Sequence, residues 1–294
     1  MSSLATSSQP PILSVVVPFL NEEGWLPFCL EALRRQSLDR SKYEVIFVDN
    51  GSTDRSLEIL RAEHGVVVVH EERRDPYIAR NRGVQAACGD FIVFLDADCI
   101  ANIDWLSQLL VAVETSQAKV ILGSIGYPNG ASIWLCCYRD YYDQKIEYLL
   151  KNKLTAKYFG HAGNMVIQRS LFLRLGSFMP MPIVGDTEIL HRMTARAPAE
   201  QICFWPEALV IHAEVTSFQI CLMKVFETGQ YSRTLSSAGG YLPLSLKDRL
   251  RVYLNCIEAL DYGFWKSLTM VGMLSVGWLA FTMGWFWRPQ RASS

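Results

Sequence analysis

Short apolar runs alternate with helical patterns through the N-terminal third of the chain. Four runs are rich in β-branched residues, as strands buried on both faces are, and they occupy residues 12–18, 43–49, 66–70 and 91–95. Between them, leucines recur at helical spacing, Thr53 or Asp54 can cap a second helix, and residues 76–88 form a third helical pattern. This alternation predicts an α/β fold with a mostly parallel sheet flanked by helices on both faces.

The pattern loosens in the rest of the chain, where helices predominate. We expect two further strandlike segments, near 119–126 and 202–212, the second of which could be one strand or two. Helical patterns cover residues 102–115, 131–151, 170–176, 186–196, 216–236 and 245–260. The chain therefore divides into a globular domain over 12–214 and a helical extension over 215–263, preceded by a polar tail over 1–11 that does not resemble a secretion signal.

An apolar stretch over 267–287 contains no charged residue and would be about 30 Å long as a helix. Aromatic residues mark both of its ends, as in the interfacial zones of a bilayer: Trp265, Trp285, Phe286 and Trp287. We therefore predict a membrane helix over 264–288. It either spans the bilayer or forms a buried or interfacial hairpin broken at Gly272 or Gly277.

Basic residues are more numerous before this apolar stretch than after it. Those that precede it are Lys247, Arg249, Arg251 and Lys266. Those that follow it are Arg288 and Arg291. Because basic residues favour the cytoplasmic side, we expect the globular part to lie at the cytoplasmic face of a membrane, anchored by the C-terminal helix.

Composition and charge narrow the possible partners. Half of the 294 residues are hydrophobic, so the chain can form a substantial core. The net charge of -1 argues against nucleic acid, because phosphate binding needs a clustered excess of Lys and Arg. The 8 cysteines form no CxxC pair and no metal-ligand spacing, which is typical of a reducing compartment.

The acidic turn Asp96-Ala97-Asp98 follows the apolar run that ends at Leu95. Two carboxylates placed so closely repel each other and require a cation or a network of donors. Carboxylate oxygens suit Mg²⁺ or Mn²⁺, which commonly share their coordination shell with substrate phosphates. The alternative is that Asp96 and Asp98 only cap the next helix.

Two other predicted strands also end in polar residues. Asn21 and Glu22 follow the first strand, and Asp49 and Asn50 follow the second. In a parallel sheet the loops at the carboxyl ends of the strands form the ligand crevice, so these side chains should converge with Asp96. Asp49 and Asn50 together can accept from and donate to the edge of a nucleobase.

Four segments resemble, in order, the motifs of family 2 glycosyltransferases with the GT-A fold. They are residues 15–23, 48–54, 79–83 and 94–98, and the match covers about 12–212. The resemblance implies an inverting transferase that uses a nucleotide-diphosphate sugar and Mg²⁺ or Mn²⁺. It assigns Pro18, Asp49 and Asn50 to the nucleoside pocket with Arg80 nearby. It also assigns Asp96 to the ribose or donor sugar and Asp98 to the metal, and substrate contacts extend to Asn21 and Glu22.

Two downstream segments are also similar to this family. Gly163 and Asn164 lie in a segment similar to the glycine-rich element beside the donor sugar and the acceptor. Residues 185–190 are similar to an element whose first Asp is the general base, which selects Asp186. Because the chain has Gly185 where an acid is commoner, Glu188 could share that role. Both acids could instead be first-turn residues favoured by the helix dipole.

His212 follows an apolar run and resembles a position at which some relatives place a metal or diphosphate contact. A single histidine at the end of a strand can equally be structural. The nucleotide of the donor is left open between UDP and GDP, because the family often has Asp where this chain has Asn50.

The implied activity is that of a hexosyltransferase in glycan, polysaccharide or glycolipid synthesis, with a glycan or lipid-linked acceptor. Two alternatives share these features: a polyprenyl-phosphate sugar synthase, and a membrane-tethered nucleotide-binding protein without catalysis. A nucleotidyltransferase is disfavoured, because the acidic segment Asn21-Glu22-Glu23 would repel a triphosphate.

Overall fold

The computed structural model describes residues 10–196, 201–237 and 241–287. Its strands are β1 (Leu13–Phe19), β2 (Tyr43–Asp49), β3 (Val67–His70), β4 (Phe91–Leu95), β5 (Cys99–Ala101), β6 (Val120–Gly126), β7 (Asn164–Gln168) and β8 (Ile202–His212). Its helices are α1 (Leu26–Arg34), α2 (Ser56–Arg61), α3 (Pro76–Ala86), α4 (Trp105–Ser116), α5 (Ile133–Lys151), α6 (Arg169–Leu175), α7 (Gly185–Arg196), α8 (Phe218–Ser237), α9 (Leu246–Ala259) and α10 (Phe264–Phe286). Most of the predicted tail, together with Arg288 and Arg291, lies outside the described residues.

Among the described residues the strands form one sheet in the order β3-β2-β1-β4-β7-β6-β8-β5. The pairs β1–β2, β1–β4 and β2–β3 are parallel, as the alternation of strands and helices predicts. Strand β7 is antiparallel to both β4 and β6. The α/β fold with a mostly parallel sheet, flanking helices and a C-terminal helix is therefore confirmed.

The C-terminal part of the sheet differs in detail from the prediction. Residues 202–212, for which one strand or two were expected, form one continuous strand. Strand β5 has only 3 residues, too few for a periodic pattern, and it is fixed by tertiary contacts. One of these contacts is the hydrogen bond at 3.1 Å from Asn102 N to Leu209 O.

The strand β1 is buried at every position, including Ser14. The hydroxyl of Ser14 donates to Glu44 Oε1 at 2.6 Å and accepts from Gly89 N at 2.8 Å. These bonds satisfy a polar group that would otherwise be costly to bury, so the run can lie in the centre of the sheet.

The segment 79–83 fixes α3 against the sheet. A Cβ on Gly83 would overlap Cγ1 of Val16 and lie 3.0 Å from Cγ2 of Val48, so only glycine allows α3 to lie this close to β1 and β2. Asn81 binds the backbone of Phe178 twice, donating from Nδ2 to its carbonyl at 2.9 Å and accepting from its N–H at 3.0 Å. Two of the five residues of this motif therefore have architectural roles.

The chain divides into two compact units. One contains residues up to Gly123 with His161–Pro180 and Gln201–Val210, and the other contains Ser124–Gly160, Met181–Glu200 and the chain from Ile211 onward. The first holds most of the sheet. The second has a helical core between α5, α9 and α10, whose fully buried members include Cys137, Val252, Cys256, Met270 and Met273.

We expect Gly83→Val to lower the free energy of unfolding by about 1–3 kcal/mol, because the added side chain overpacks the contact with Val16 and Val48. Urea unfolding followed by circular dichroism measures the change. Gly24→Val is the matched control, since nothing lies within 4 Å of a Cβ at that position. The control should change stability by less than about 0.5 kcal/mol. Equal stability of the two variants would contradict the packing role of Gly83.

Candidate functional site

The loops that follow β1 and β2 are joined by hydrogen bonds. Asn21, at a positive φ of 57°, donates from its backbone N to Ser52 Oγ at 3.1 Å. Its side-chain Oδ1 accepts from Thr53 N at 2.8 Å. Glu22 N donates to Ser56 Oγ at 2.8 Å. The two predicted substrate residues of this loop therefore also fix the edge of the site.

Asp49 is the last residue of β2, and its carboxylate is almost completely buried. Its Oδ1 accepts from Ser52 N at 2.9 Å, and its Oδ2 accepts from Nδ1 of His70 at 2.9 Å. Asn50 donates from Nδ2 to the carbonyls of Glu71 and Arg73 at 3.1 and 2.5 Å. The amide nitrogen of Asn50 thus holds the turn after β3, and Asp49 provides the acidic group at this edge.

His70 is a candidate that the sequence patterns did not reveal. It is the last residue of β3 and lies opposite Asp49 in the parallel register. More than half of its side chain remains exposed while its ring contacts Asp49. His70 could have been found only from the fact that β2 and β3 are neighbours and end at the same level. That inference requires the strand order, which the sequence does not give.

Asp96 follows β4 and forms an ion pair with Arg80, whose guanidinium is buried and also stacks on the ring of Tyr77 at 5.0 Å. A Cβ on Gly163 would lie 2.8 Å from Asp96 Oδ2, so glycine leaves room for this carboxylate. Three of the predicted site residues, Arg80, Asp96 and Gly163, are therefore brought together.

Three acidic residues at this edge act electrostatically on the buried thiol of Cys29. Burial raises the pKa of the Cys29 thiol, and the negative charges of Asp98, Asp96 and Glu22 raise it further. Glu22 follows β1 and both acids of the turn follow β4, and since these neighbouring strands are parallel, the three acids lie at one edge of the sheet. Such a concentration of negative charge favours binding of a cation.

Pro18 and Asn164 lie inside the sheet at this edge. Pro18 is buried in β1 opposite Val48. Asn164 accepts from Trp105 Nε1 at 2.9 Å and donates to Ala208 O at 2.8 Å. Its amide therefore connects α4 with β8, and this structural role accompanies the substrate contact predicted from sequence.

In the second unit, Asp186 and Glu188 occupy the first turn of α7. A Cβ on Gly160 would lie 2.7 Å from the carbonyl of Asp186, and Gly160 N donates to Thr187 Oγ1 at 3.2 Å. Val184, just before the helix, has a φ of 64°, a conformation that β-branched residues rarely adopt. Strain of this kind occurs most often at functional sites.

Glu188 and Asp186 differ in their surroundings. Glu188 binds Arg192 on the next turn through both oxygens, each at 2.6 Å from a guanidinium nitrogen. Asp186 Oδ1 accepts from Thr187 N at 2.7 Å. Both oxygens of Glu188 are therefore occupied by Arg192, and this geometry favours Asp186 over Glu188 as a base.

An aromatic and cationic cluster lies beside Asp186 in the same unit. The amine of Lys145 is 3.6 Å from the ring centroid of Phe159 and 5.4 Å from that of Tyr142. Burial, and secondarily the charge of Asp186, raises the pKa of the Tyr142 phenol. Burial, with a smaller effect of Arg249, lowers the pKa of Lys145 to about 7. The helical pattern over 131–151 predicted α5 but did not identify Lys145.

His212 is the buried last residue of β8. The amine of Lys224 lies 3.4 Å from its Nε2 and 3.1 Å from Glu214 Oε2. The ring of His212 therefore lies next to the amine of Lys224 at the end of β8. Lys224 is a third residue, after His70 and Lys145, that the sequence patterns did not identify.

Comparisons with known proteins identify the family and the fold. The profile of Glycosyl transferase family 2 matches residues 14–176. The chain is 26% identical over 231 residues to glycosyltransferase AglE of Haloferax volcanii, covering 76% of this chain and 74% of that protein. The mannosyltransferase PcManGT of Pyrobaculum calidifontis, solved with GDP-Man and Mn²⁺, has a TM-score of 0.59 at 21% identity, covering 93% of this chain and 76% of that one. Staphylococcus aureus TarS with UDP-GlcNAc has a TM-score of 0.55 at 17% identity, covering 92% and 81%. At identities of 21% and 17%, the likeness to these two structures shows the fold alone.

We expect Lys145→Met to alter the pH dependence of stability. Because the pKa of Lys145 in the folded state is about 7, the unfolded chain binds more protons between pH 7 and the ordinary lysine pKa of about 10.4. The free energy of unfolding should therefore rise with pH across this interval more steeply in the unaltered protein than in the variant. Urea titrations at several pH values measure the difference, and parallel pH profiles would show that Lys145 keeps its ordinary pKa.

Proposed function

This chain belongs to glycosyl transferase family 2, and we propose that it transfers a sugar from a nucleotide-diphosphate donor to an acceptor hydroxyl with inversion at the anomeric carbon. The observation that carries the proposal is the convergence of Asp49, Asp96 and Arg80 at the carboxyl edge of the parallel strands. Ligands of α/β sheets bind in such a crevice. The GT-A fold agrees with this function.

The donor contacts follow from the charges at this edge. The buried carboxylate of Asp49 accepts hydrogen bonds only, so it suits an N–H on the edge of uracil or guanine, with Pro18 and Asn50 completing the pocket. Asp96 suits hydroxyls of the ribose or the donor sugar, and Arg80 holds it in place. Asn21, Glu22, Gly163 and Asn164 complete the predicted substrate set.

The residues present also fit a divalent cation. Asp98 offers a carboxylate, and its charge is added to those of Asp96 and Glu22. His212 offers an imidazole at the end of β8. This donor chemistry suits Mn²⁺ or Mg²⁺, and such an ion neutralises negative charge on the departing nucleoside diphosphate.

We assign the role of general base to Asp186. The acceptor oxygen attacks the anomeric carbon from the face opposite the diphosphate, the bond from that carbon to the phosphate oxygen breaks, and the acceptor proton passes to the Asp186 carboxylate. One displacement of this kind inverts the configuration and requires no enzyme nucleophile. Glu188 does not share the role, because Arg192 occupies both of its oxygens.

The acceptor is a glycan or a lipid-linked sugar, and the reaction takes place at the cytoplasmic face of a membrane. The helix α10 is long and apolar enough to cross a bilayer, which supports attachment to a membrane. The same helix favours one alternative, a polyprenyl-phosphate acceptor. Extraction of the labelled product into organic solvent, followed by mild acid hydrolysis, distinguishes a sugar phosphate linkage from a glycosidic one.

Asp186→Asn should lower transfer by about 10²–10⁴-fold, the usual contribution of a general base. The measurement is transfer of radiolabelled sugar from UDP- and GDP-linked donors to membrane extracts. The matched control is the double variant Glu188→Gln and Arg192→Gln, which removes the neighbouring acid without leaving an unpaired cation. The control should retain transfer within a few-fold. Loss of transfer in the control with full activity of Asp186→Asn would reverse the assignment.

Asp98→Ala should remove the effect of Mn²⁺ on nucleotide binding. In the unaltered protein, UDP or GDP should raise the melting temperature more in the presence of Mn²⁺ than without it, because a ligand stabilises the folded state according to its affinity. In the variant the two shifts should be equal. A persistent effect of Mn²⁺ would exclude Asp98 as a metal ligand, and the nucleotide with the larger shift identifies the donor base.

A further inference from the structure

We propose that α9 and α10 form an in-plane binding surface for an anionic lipid bilayer, so that α10 lies on the membrane and does not span it. This inference deepens the membrane attachment in the proposed function. It depends on how α10 is held within its own unit and on which of its side chains are exposed.

One face of α10 is buried in the protein. Met270, Met273 and Gly284 are buried, and their positions lie on one side of the helix. The opposite side is exposed and almost entirely apolar, with Leu268, Val271, Val276, Trp278, Leu279 and Met283. The helix α10 therefore has one narrow protein face and a wide apolar face that is exposed.

The contact between α10 and α8 is close enough to fix α10 in place. A Cβ on Gly284 would overlap the carbonyl of Phe226, and a Cβ on Gly229 would overlap the carbonyl of Phe281. Arg233 also donates to Trp285 O at 3.4 Å. These contacts need backbones in direct contact, so α10 cannot leave the unit without breaking them.

A spanning orientation of α10 would carry α8 into the hydrocarbon. Lys224, Glu227 and Arg233 lie on α8, and Lys224 forms a salt bridge with Glu214 at 3.1 Å. Charged side chains in the bilayer core are costly and are tolerated mainly in protected interiors. An in-plane orientation keeps these groups in water while the exposed face of α10 meets the acyl chains.

The helix α9 carries a second row of exposed apolar residues, together with positive charge. Leu246, Leu250 and Leu254 follow each other at intervals of one turn and are 83%, 56% and 39% exposed. Lys247 and Arg251 are exposed beside them. A row of leucines flanked by basic residues is typical of helices that lie on anionic membranes.

Aromatic residues at both ends of α10 favour a lipid partner over a second copy of this chain. Phe264 and Trp265 are highly exposed at one end, and Phe286 and Trp287 are exposed at the other. Trp is enriched at the interface between lipid headgroups and acyl chains, where its ring is partly solvated. All four rings can reach that layer when the helix lies parallel to the membrane.

The test is flotation of the full-length protein with vesicles of phosphatidylcholine alone and of phosphatidylcholine with phosphatidylglycerol, without any donor. We expect binding to the anionic vesicles and release by alkaline carbonate, since a helix that does not span the bilayer is extracted. Leu246→Glu with Leu250→Glu should reduce binding at least about tenfold, because both leucines insert into the bilayer. Lys247→Gln and Arg251→Gln should each weaken it about fivefold.

Phe28→Glu is the matched control, because Phe28 is an exposed apolar residue on α1, and it should bind vesicles like the unaltered protein. Resistance to carbonate would show that α10 spans the bilayer and would overturn the proposal. Failure to bind either vesicle, with a dimer in gel filtration that the leucine variant disrupts, would show that a second copy covers this surface. Donor binding by thermal shift is measured separately, so failure of the glycosyltransferase proposal is distinguishable from failure of this one.

Discussion

Parallel pairing of β1 with β2 and β4 is the constraint on which the candidate donor site depends. In this register Phe19 lies opposite Asp49, and Val16 lies opposite Phe94, so the three strands end at the same edge. The loops that leave them must therefore carry their polar residues into a common space. The close contact at Gly83 maintains the arrangement, because α3 covers the junction of β1 and β2 and brings Arg80 to the same edge.

Several carboxylates lie close together at this edge and repel one another, and Arg80 offsets part of this repulsion. Its guanidinium pairs with Asp96, so one acid is neutralised by the protein itself. Burial raises the pKa of the Cys29 thiol, and the negative charges of Asp98, Asp96 and Glu22 raise it further. In the proposed function this negative charge attracts a divalent cation and, through the cation, a diphosphate.

Sequence patterns predicted the elements that depend on local periodicity and missed what depends on tertiary contacts. The buried runs of β1, β2 and β4 are apolar on both faces, so their positions could be inferred directly. His70 could not be identified, because its role comes from the strand order. The pair of Glu188 with Arg192 is local, four residues apart on α7, but the motif over 185–190 ends before Arg192. The motif residues Asn81, Gly83 and Asn164 form structural contacts. A sequence motif alone does not tell whether such a residue serves the fold or the reaction.

The proposed donor site and the proposed base are held in place by different kinds of contact. The carboxylates of the donor site are fixed by the strand register and by hydrogen bonds between loops. Because the strands are buried, their register tolerates little change. The proposed base is fixed within its own unit by Gly160 and Thr187, at a helix that begins after a strained Val184. Around it lie aromatic rings and Lys145, whose identities do not affect the sheet. Under the proposed function, the donor site and the base therefore depend on two separate sets of contacts.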